Sequence, residues 1–318
     1  MSTFVWYSQG SKESGEALAK LLNCQGGTVP PRGFSGAAIC IGASYTDKFK
    51  WGDRNFRGIL NDPRKTKQFT PRNTLFAALS KAGLQTPSVV ALAGAGGSYT
   101  ATCGMLVATE AEGFVMCKPS GAKARRVRND AQYLAAQQDG CTLAVARKFL
   151  TNDRVRLFVV DGKVVGALQR SVQNKNNFLD NAVAELGFGA GVKEALAKAL
   201  DAGVIAANKS YWAPMIINSP RKIEAAEAAA KALGFGFCAV DLASGGGAPV
   251  VLNVVTNPAL VGYDAVQEEV AKSLTEWTKK NNKSAKQILL EMAQEADEEV
   301  AEALLDELRQ MKNKNVAG

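Results

Sequence analysis

No histidine occurs in the 318 residues, and that absence removes a block of chemistry. There is no Ser-His-Asp or Cys-His pair, no imidazole general base, and no histidine-held zinc or haem. Any catalysis has to run on carboxylates, lysines, arginines, electrostatics or a metal on oxygen ligands. This favours phosphoryl-type chemistry over hydrolysis by a protein nucleophile. Cysteine is sparse and scattered: Cys24, Cys40, Cys103, Cys117, Cys141 and Cys238 include no CxxC pair, which reads as reduced thiols and not as a disulfide framework or a zinc site. No apolar run approaches the roughly 20 residues that span a bilayer. The opening "MSTFVWYSQGSKES" has neither a basic leader nor a long apolar core, so a cytoplasmic protein is expected. No internal repeat is found.

What is present describes an ordinary globular protein, with 47% hydrophobic and 21% charged residues, long enough for two or three structural units. The formal charge is +8, although residues 295 to 307, "EADEEVAEALLDE", hold acids and no base. The remainder is therefore more basic than the total implies. Arg64, Lys65 and Lys67 form one basic cluster, and Lys123, Arg125, Arg126 and Arg128 another. Such clusters permit phosphate binding, from a nucleotide up to nucleic acid. No nucleic-acid motif accompanies them, so a solvated face is the ordinary reading and nucleic acid trails as a partner.

"TFVWYS" reads as a strand, "SKESGEALAKLLN" as a capped amphipathic helix and "GAAICIGA" as a buried strand, together a half-Rossmann-like α/β unit. "KWGDRNFRGILNDPRKTKQF" reads as a loop. "TPRNTLFAALSKAGL" reads as a helix with Thr70 at its N-cap, Pro71 at its first position and Gly83 at its end. From Thr86 the pattern turns β-rich, with strands at "SVVALA", "FVMCKP", "LAVARKFL", "VRLFVV" and "KVVGALQR". The last two are joined by Asp161-Gly162, a two-residue hairpin signal. Helices are expected at "NDAQYLAAQQ", "VKEALAKALDA" and "PRKIEAAEAAAKAL", and the chain reads as helical after Gly262. There "SAKQILLEMAQEADEEVAEALLDELRQM" places Ile288, Met292, Val300, Leu304, Leu308 and Met311 on one helix face. The glycine groups "LAGAGGSYT" and "GFGAGVKEAL" fit neither GxGxxG nor a P-loop and read as turns and hinges. The expected units are an N-terminal α/β domain over 1–86, a domain of two β-layers over 87–262, and a helical extension over 263–318.

The stretch "FCAVDLASGGGAPVVLNVVTNPAL" holds two apolar runs around a glycine-rich turn, each with one polar residue. A turn centred on Gly247 sets Asp241 opposite Asn253, about 5 Å apart across the pair. A carboxylate on a buried strand is costly alone and requires a metal cation, a lysine or arginine, or water. Lys118, before Pro119, is either a lysine leaving the core edge or one that meets phosphates. Arg156 lies on the opposite face from Val155 and Leu157, and Arg170 near the end of the partner strand supplies a second cation on the same sheet.

Three pieces in this order resemble the ATP-grasp superfamily, in particular its RimK-type glutamate ligases and small phage-encoded amide-bond ligases. "RGILNDPRKTKQFTPRNTLFAALSKAGLQTP" looks like the family's linker, "DRVRLFVVDGKVVGALQR" like its Asp-x-Arg strand pair, and "AAAKALGFGFCAVDLASGGGAPVVLNVVTNPAL" like its final helix and metal-binding hairpin. The resemblance implies an α/β (α+β) fold in which ATP lies between two β-layers with Mg²⁺. It also implies a carboxylate–amine ligase working through an acyl-phosphate on an amino acid or peptide. Carried over by position, it implies Lys118 on the nucleotide phosphates, Arg156 and Arg170 on the transferring phosphate, and Asp241 on magnesium. Asn257 matches the turn after the hairpin, and Asn181 an asparagine near the substrate.

The sequence departs from the family at several of these positions. The second metal carboxylate is Asn253, and the asparagine two residues on is Val255. The linker lysine falls at Thr74, and the hinge glutamate near Lys148. The glycine-rich lid is "SGAKARRVR". Asp241 alone holds at most one ion, and Lys148, Lys123, Arg125 and Arg126 are expected to meet phosphates directly. Two readings follow: an active ligase, or an ATP-grasp-like protein that binds a nucleotide or, through its C-terminal helix, a protein partner.

Overall fold

The computed structural model describes residues 2–43, 49–92, 97–109, 113–120, 124–146, 154–172, 210–243 and 248–283. The first unit is a parallel sheet ordered β2-β1-β3-β4, from β1 (Ser2–Tyr7), β2 (Gln25–Gly27), β3 (Ser35–Ile41) and β4 (Asn55–Leu60). Helix α1 (Lys12–Leu21) returns the chain from β1 to β2. Alternation along β1 sends Val5 and Tyr7 to one core and Phe4 and Trp6 to another. The second core is closed by aromatic side chains, Phe49, Trp51 and Phe56, and Trp6 stacks on Phe49 at 4.9 Å. The segment expected as a loop therefore contains β4. Its Arg57 and Gly58 interrupt the apolar alternation, and the strand lies at the sheet's edge, where that pattern is not required.

Beyond β4 the chain forms a short helix, α2 (Pro63–Thr66), capped by the Asp62 side chain accepting from the Arg64 amide at 2.9 Å. Helix α3 (Arg72–Lys81) follows, with extended Pro71 at its N-cap, one residue later than expected, and Gly83 at φ 78° just past its end. Two antiparallel sheets come next. The smaller, ordered β5-β8-β6-β7, joins β5 (Val89–Ala91), β6 (Phe114–Cys117), β7 (Arg125–Val127) and β8 (Leu143–Ala146). Its Phe114 and Met116 pack under α4 (Tyr99–Leu106) and α5 (Asp130–Gln138) through Cys103, Leu106, Tyr133 and Ala136. The expected helix at 129 to 138 is present, capped by Asn129. The glycine group before α4 ends in Ser98, whose hydroxyl caps that helix.

The larger sheet runs β11-β10-β9-β12-β13 and joins β9 (Arg154–Val160), β10 (Lys163–Val172), β11 (Ser210–Pro214), β12 (Phe237–Ala243) and β13 (Val250–Val255). Asp161 and Gly162 turn β9 into β10 with φ of 47° and 77°, the conformation that Asp-Gly favours. Helix α6 (Pro220–Leu233) spans the segment expected and ends at Gly234 with φ 64°. Its Ala225, Ala226, Ala229 and Ala230 lie against Val155, Leu157, Val159, Cys238 and Val240. The opposite face carries Phe158, Val160, Leu168, Phe237 and Ala239 and is buried under the parallel sheet and helix α7 (Asp264–Asn281), which contributes Val270, Leu274 and Trp277. The boundary expected at 263 falls at the start of α7, and this helix belongs to the shared core. Buried Asn61 bridges the two sheets: its amide donates to the Phe237 carbonyl and to Cys40 O at 3.2 Å, and its Oδ1 accepts from the Phe237 amide at 3.1 Å. No helix among the described residues is long and apolar enough to cross a membrane. Helices expected at 192–202 and 284–311 and the glycine group at 187–196 lie outside the described residues.

Candidate functional site: the polar end of the central sheet

Strand register builds the site. On β9 and β12, Arg156 pairs with Asp241; on β12 and β13, Asp241 pairs with Asn253. The expected hairpin register is thus present, with a bulge between Asp241 and Leu242. On β10, Arg170 pairs with Arg154 of β9 and with Trp212 of β11. Directly paired residues share a face, so Arg154, Arg156, Arg170, Trp212, Asp241 and Asn253 all emerge on the face that carries Phe158 and Phe237 further along. That face is apolar where the parallel sheet and α7 cover it, and charged beyond them.

The carboxylate on the buried strand is satisfied by an arginine. Arg156 donates from Nε to Oδ1 of Asp241 at 2.7 Å and from Nη2 to Oδ2 at 3.0 Å, a bidentate pair. The two side chains are only 18% and 13% exposed, so little water competes. The guanidinium carbon lies 4.7 Å from the ring centroid of Trp212. Burial pushes the Arg156 pKa down, but the hydrogen bonds and charge of Asp241, with Tyr263 adding, outweigh it and hold the pKa above its ordinary value. Two of the guanidinium nitrogens, Nε and Nη2, are thereby committed to Asp241.

Beside Asn253 opens a cleft of about 210 Å³ where the linker, the exit of β6 and the edge strand β13 meet. Thr70, Arg72, Ser120, Asn253, Thr256 and Asn257 line it, with Phe69 and Phe235 as apolar wall. The Arg72 amide donates to Pro119 O at 2.8 Å, which ties the start of α3 to the smaller sheet. Asn257 sits against Gly42, whose amide donates to Thr256 O at 3.0 Å; a Cβ at position 42 would lie 2.7 Å from that of Asn257.

The fold is similar to that of several solved ligases. PsnB complexed with a phosphomimetic variant of its minimal precursor, Mg and ADP superposes with TM-score 0.59 at 14% identity, covering 89% of this chain and 99% of that one. The D-alanine–D-alanine ligase of Bacillus anthracis complexed with ATP gives 0.55 at 13%, over 87% and 97%. The chain has the ATP-grasp fold. The macrocyclase MdnC bound with precursor peptide MdnA from Microcystis aeruginosa MRC gives 0.55 at 11%, over 88% and 100%. No family model and no curated protein matches the sequence.

Within this ATP-grasp fold, four expected site residues, Arg156, Arg170, Asp241 and Asn253, share one sheet face. Asn257 lies at the adjoining cleft. Lys118 stands apart on the smaller sheet, half-buried, its Cε 3.7 Å from where a Gly140 Cβ would be. Lys123, Lys148 and Asn181 lie outside the described residues. Sequence reading missed Arg154, Trp212 and Arg72. Arg154 shares the alternation of Arg156 and was detectable by it. Arg72 opens the helix where a cation was sought at Thr74. Trp212 carried no local signal, because its place comes from pairing with Arg170.

Among the described residues, the donor set does not fit a magnesium clamp. Mg²⁺ takes one or two carboxylates together with substrate phosphates. Here both oxygens of Asp241 are committed to Arg156, its neighbour Asn253 is uncharged, and no cluster of three His, Cys, Asp or Glu side chains occurs among the described residues.

Proposed function

We propose that this protein is an ATP-dependent ligase joining a carboxylate to an amine, with an amino acid or peptide as substrate. A substrate carboxylate oxygen attacks the terminal phosphorus of ATP and ADP leaves. The amine then attacks the acyl-phosphate carbon, and phosphate departs as the amide forms. The observation that carries this reading is the gathering of Arg156 and Arg170 with Asp241 on one face of the central sheet, in a fold shared over 87–89% of the chain with ligases of that kind. The chemistry needs positive charge held where the transferring phosphoryl group gains negative charge. Arg156, oriented by Asp241 and seated over Trp212, supplies it; Arg170 adds a second cation, and Lys118, just past β6 of the smaller sheet, is assigned to the nucleotide phosphates. Asn257 is assigned to the substrate.

Incubation with ATP and pools of amino acids and peptides tests this through ADP release and a product of the summed mass less one water. Arg156→Gln is expected to lower kcat about 10²–10³-fold. A second reading, nucleotide binding without catalysis, is favoured by one observation: the position opposite Asp241 is Asn253 and not an acid. ATP binding with no ADP from any pool selects it.

A further inference from the structure

Helix α7 delivers the chain to a basic, aromatic surface. Asn282, just past the helix, is held at three points: its Oδ1 accepts from the Ala37 amide at 2.8 Å, its Nδ2 donates to Thr3 Oγ1 at 3.1 Å, and its carbonyl accepts from Arg57 Nη1 at 2.7 Å. Arg57 belongs to β4, an edge strand of the parallel sheet. Gly58 beside it permits the close approach of Asn281, since a Cβ there would lie 3.1 Å from that of Asn281. Along the same edge stand the half-buried rings of Phe49, Trp51 and Phe56. The Arg54 guanidinium lies 4.3 Å from the Phe49 centroid and that of Arg64 4.1 Å from the Trp51 centroid. Arg54 donates to the Pro30 and Lys50 carbonyls, which satisfies its hydrogen bonds without balancing its charge. Asp53 and Asp62 face Arg32 and Arg64, with Lys65 acting on Asp62 from farther off. Lys50, Arg57 and Lys65 are exposed.

The sequence that follows carries the opposite charge. Residues 295–307 hold seven acids and no base, and twelve residues, 283–294, lead to them from the anchored Asn282. Twelve residues reach about 40 Å when extended and about 18 Å as a helix. Either exceeds the roughly 5 Å width of one strand, and β4 has no strand beyond it among the described residues. We propose that residues 295–307 bind the basic aromatic surface along β4 of their own chain, with their carboxylates on Lys50, Arg54, Arg57 and Lys65. Val300 and Leu304, four positions apart, supply an apolar side for Phe49 and Trp51. Exposed ion pairs are individually weak. The short tether compensates, because it holds the acids at an effective concentration of the order of millimolar. An acidic partner from outside then has to displace the chain's own segment. Nothing in this contact depends on a bound nucleotide.

Carbodiimide coupling of the full chain, as a dilute equal mixture of unlabelled and isotope-labelled protein, tests it by peptide mass spectrometry. Amide links from Lys50 or Lys65 to acids of 295–307 are expected within chains of one label. They are expected to fall about tenfold in about 1 M NaCl, where the screening length shrinks to about 3 Å. In the full-chain variant Lys50→Gln with Lys65→Gln, a glutamate-specific protease is expected to cut within 295–307 about tenfold faster than in the parent, and elsewhere at the parent rate. Lys50→Arg with Lys65→Arg, which keeps the charge, is expected to cut at the parent rate throughout. Links that join the two labels give the surface to a second copy and overturn the inference. Links spread evenly over the other lysines, or equal protease rates in all three proteins, overturn it as well. So does an absence of links at Lys50 and Lys65; binding of added polyglutamate or a single-stranded oligonucleotide by that chain then assigns the surface to a separate partner. Melting curves confirm that each variant is folded.

Discussion

Asp241 and Arg156 carry most of the information at the scale of single residues. Sequence alternation states that a carboxylate sits on a buried strand and needs a partner; the register of β9 against β12 makes Arg156 that partner at 2.7 Å. Truncation of one member of such a pair strands the other. Asp241→Ala is expected to cost about 2–4 kcal/mol in urea unfolding, less than a fully buried pair because Arg156 keeps Trp212 and some water. Replacing both, Asp241→Leu with Arg156→Met, is expected to cost less than Asp241→Ala alone; a larger cost would show that the pair is itself a net stabiliser. The thiols make a second prediction. Burial pushes Cys238 up to about 12 and Cys40 well above its ordinary value, where Asp62 adds to the effect. An unfolded thiol titrates near 8.5. The folded state therefore holds these protons more tightly, and the resulting stability is complete below about pH 8.5 and lost as pH rises towards 12. The unfolding free energy from urea titrations is expected to fall across pH 9–11 with a slope of about 1.4 kcal/mol per pH unit per thiol, and Cys238→Ala to make that slope shallower.

Secondary elements were legible wherever local pattern and tertiary demand agree. Helix α6 and the Asp-Gly hairpin follow from apolar periodicity and turn chemistry, and both lie where expected. Strands β2, β4, β7 and β11 and helices α2 and α4 were not anticipated. The four strands sit at sheet edges, where one neighbour suffices and alternation is weakly enforced, and the two helices are short, α4 lying behind a glycine run. Close packing between elements depends on small residues that periodicity does not explain. Gly15 of α1 faces β1: a Cβ there would lie 2.7 Å from Cβ of Tyr7 and closer still to its ring. Although alanine is the better helix former, Gly15→Ala is expected to destabilise by about 1–3 kcal/mol through overpacking. Thermal unfolding that is unchanged or raised would mean that α1 slides along the sheet at no cost.

For the whole molecule, the decisive contacts join distant segments. Asn61 ties the parallel sheet to β12, and Asn282 ties the end of α7 back to it, accepting from the Ala37 amide at 2.8 Å and donating to Thr3 Oγ1 at 3.1 Å. These bonds fix how the covered and charged halves of the central sheet divide, and so where the site begins. Asn61→Ala leaves the buried Phe237 and Cys40 backbone groups unpaired and is expected to cost about 2–4 kcal/mol. A lower denaturant midpoint with an unchanged slope in one transition is the expected result; an unchanged midpoint would show that the two sheets do not depend on this bridge.

The amino-acid sequence on its own determined which chemistry is impossible without histidine, where most helices and hairpins lie, and which residues alternate onto the same side of a strand. These are properties of composition and of neighbours a few positions apart. Which arginine meets Asp241, that Arg154 and Arg170 oppose each other, and that Arg72 enters the Asn253 cleft were decided by strand pairing and by the docking of the sheets, because those partners are separated along the chain and only the folded packing brings them within reach.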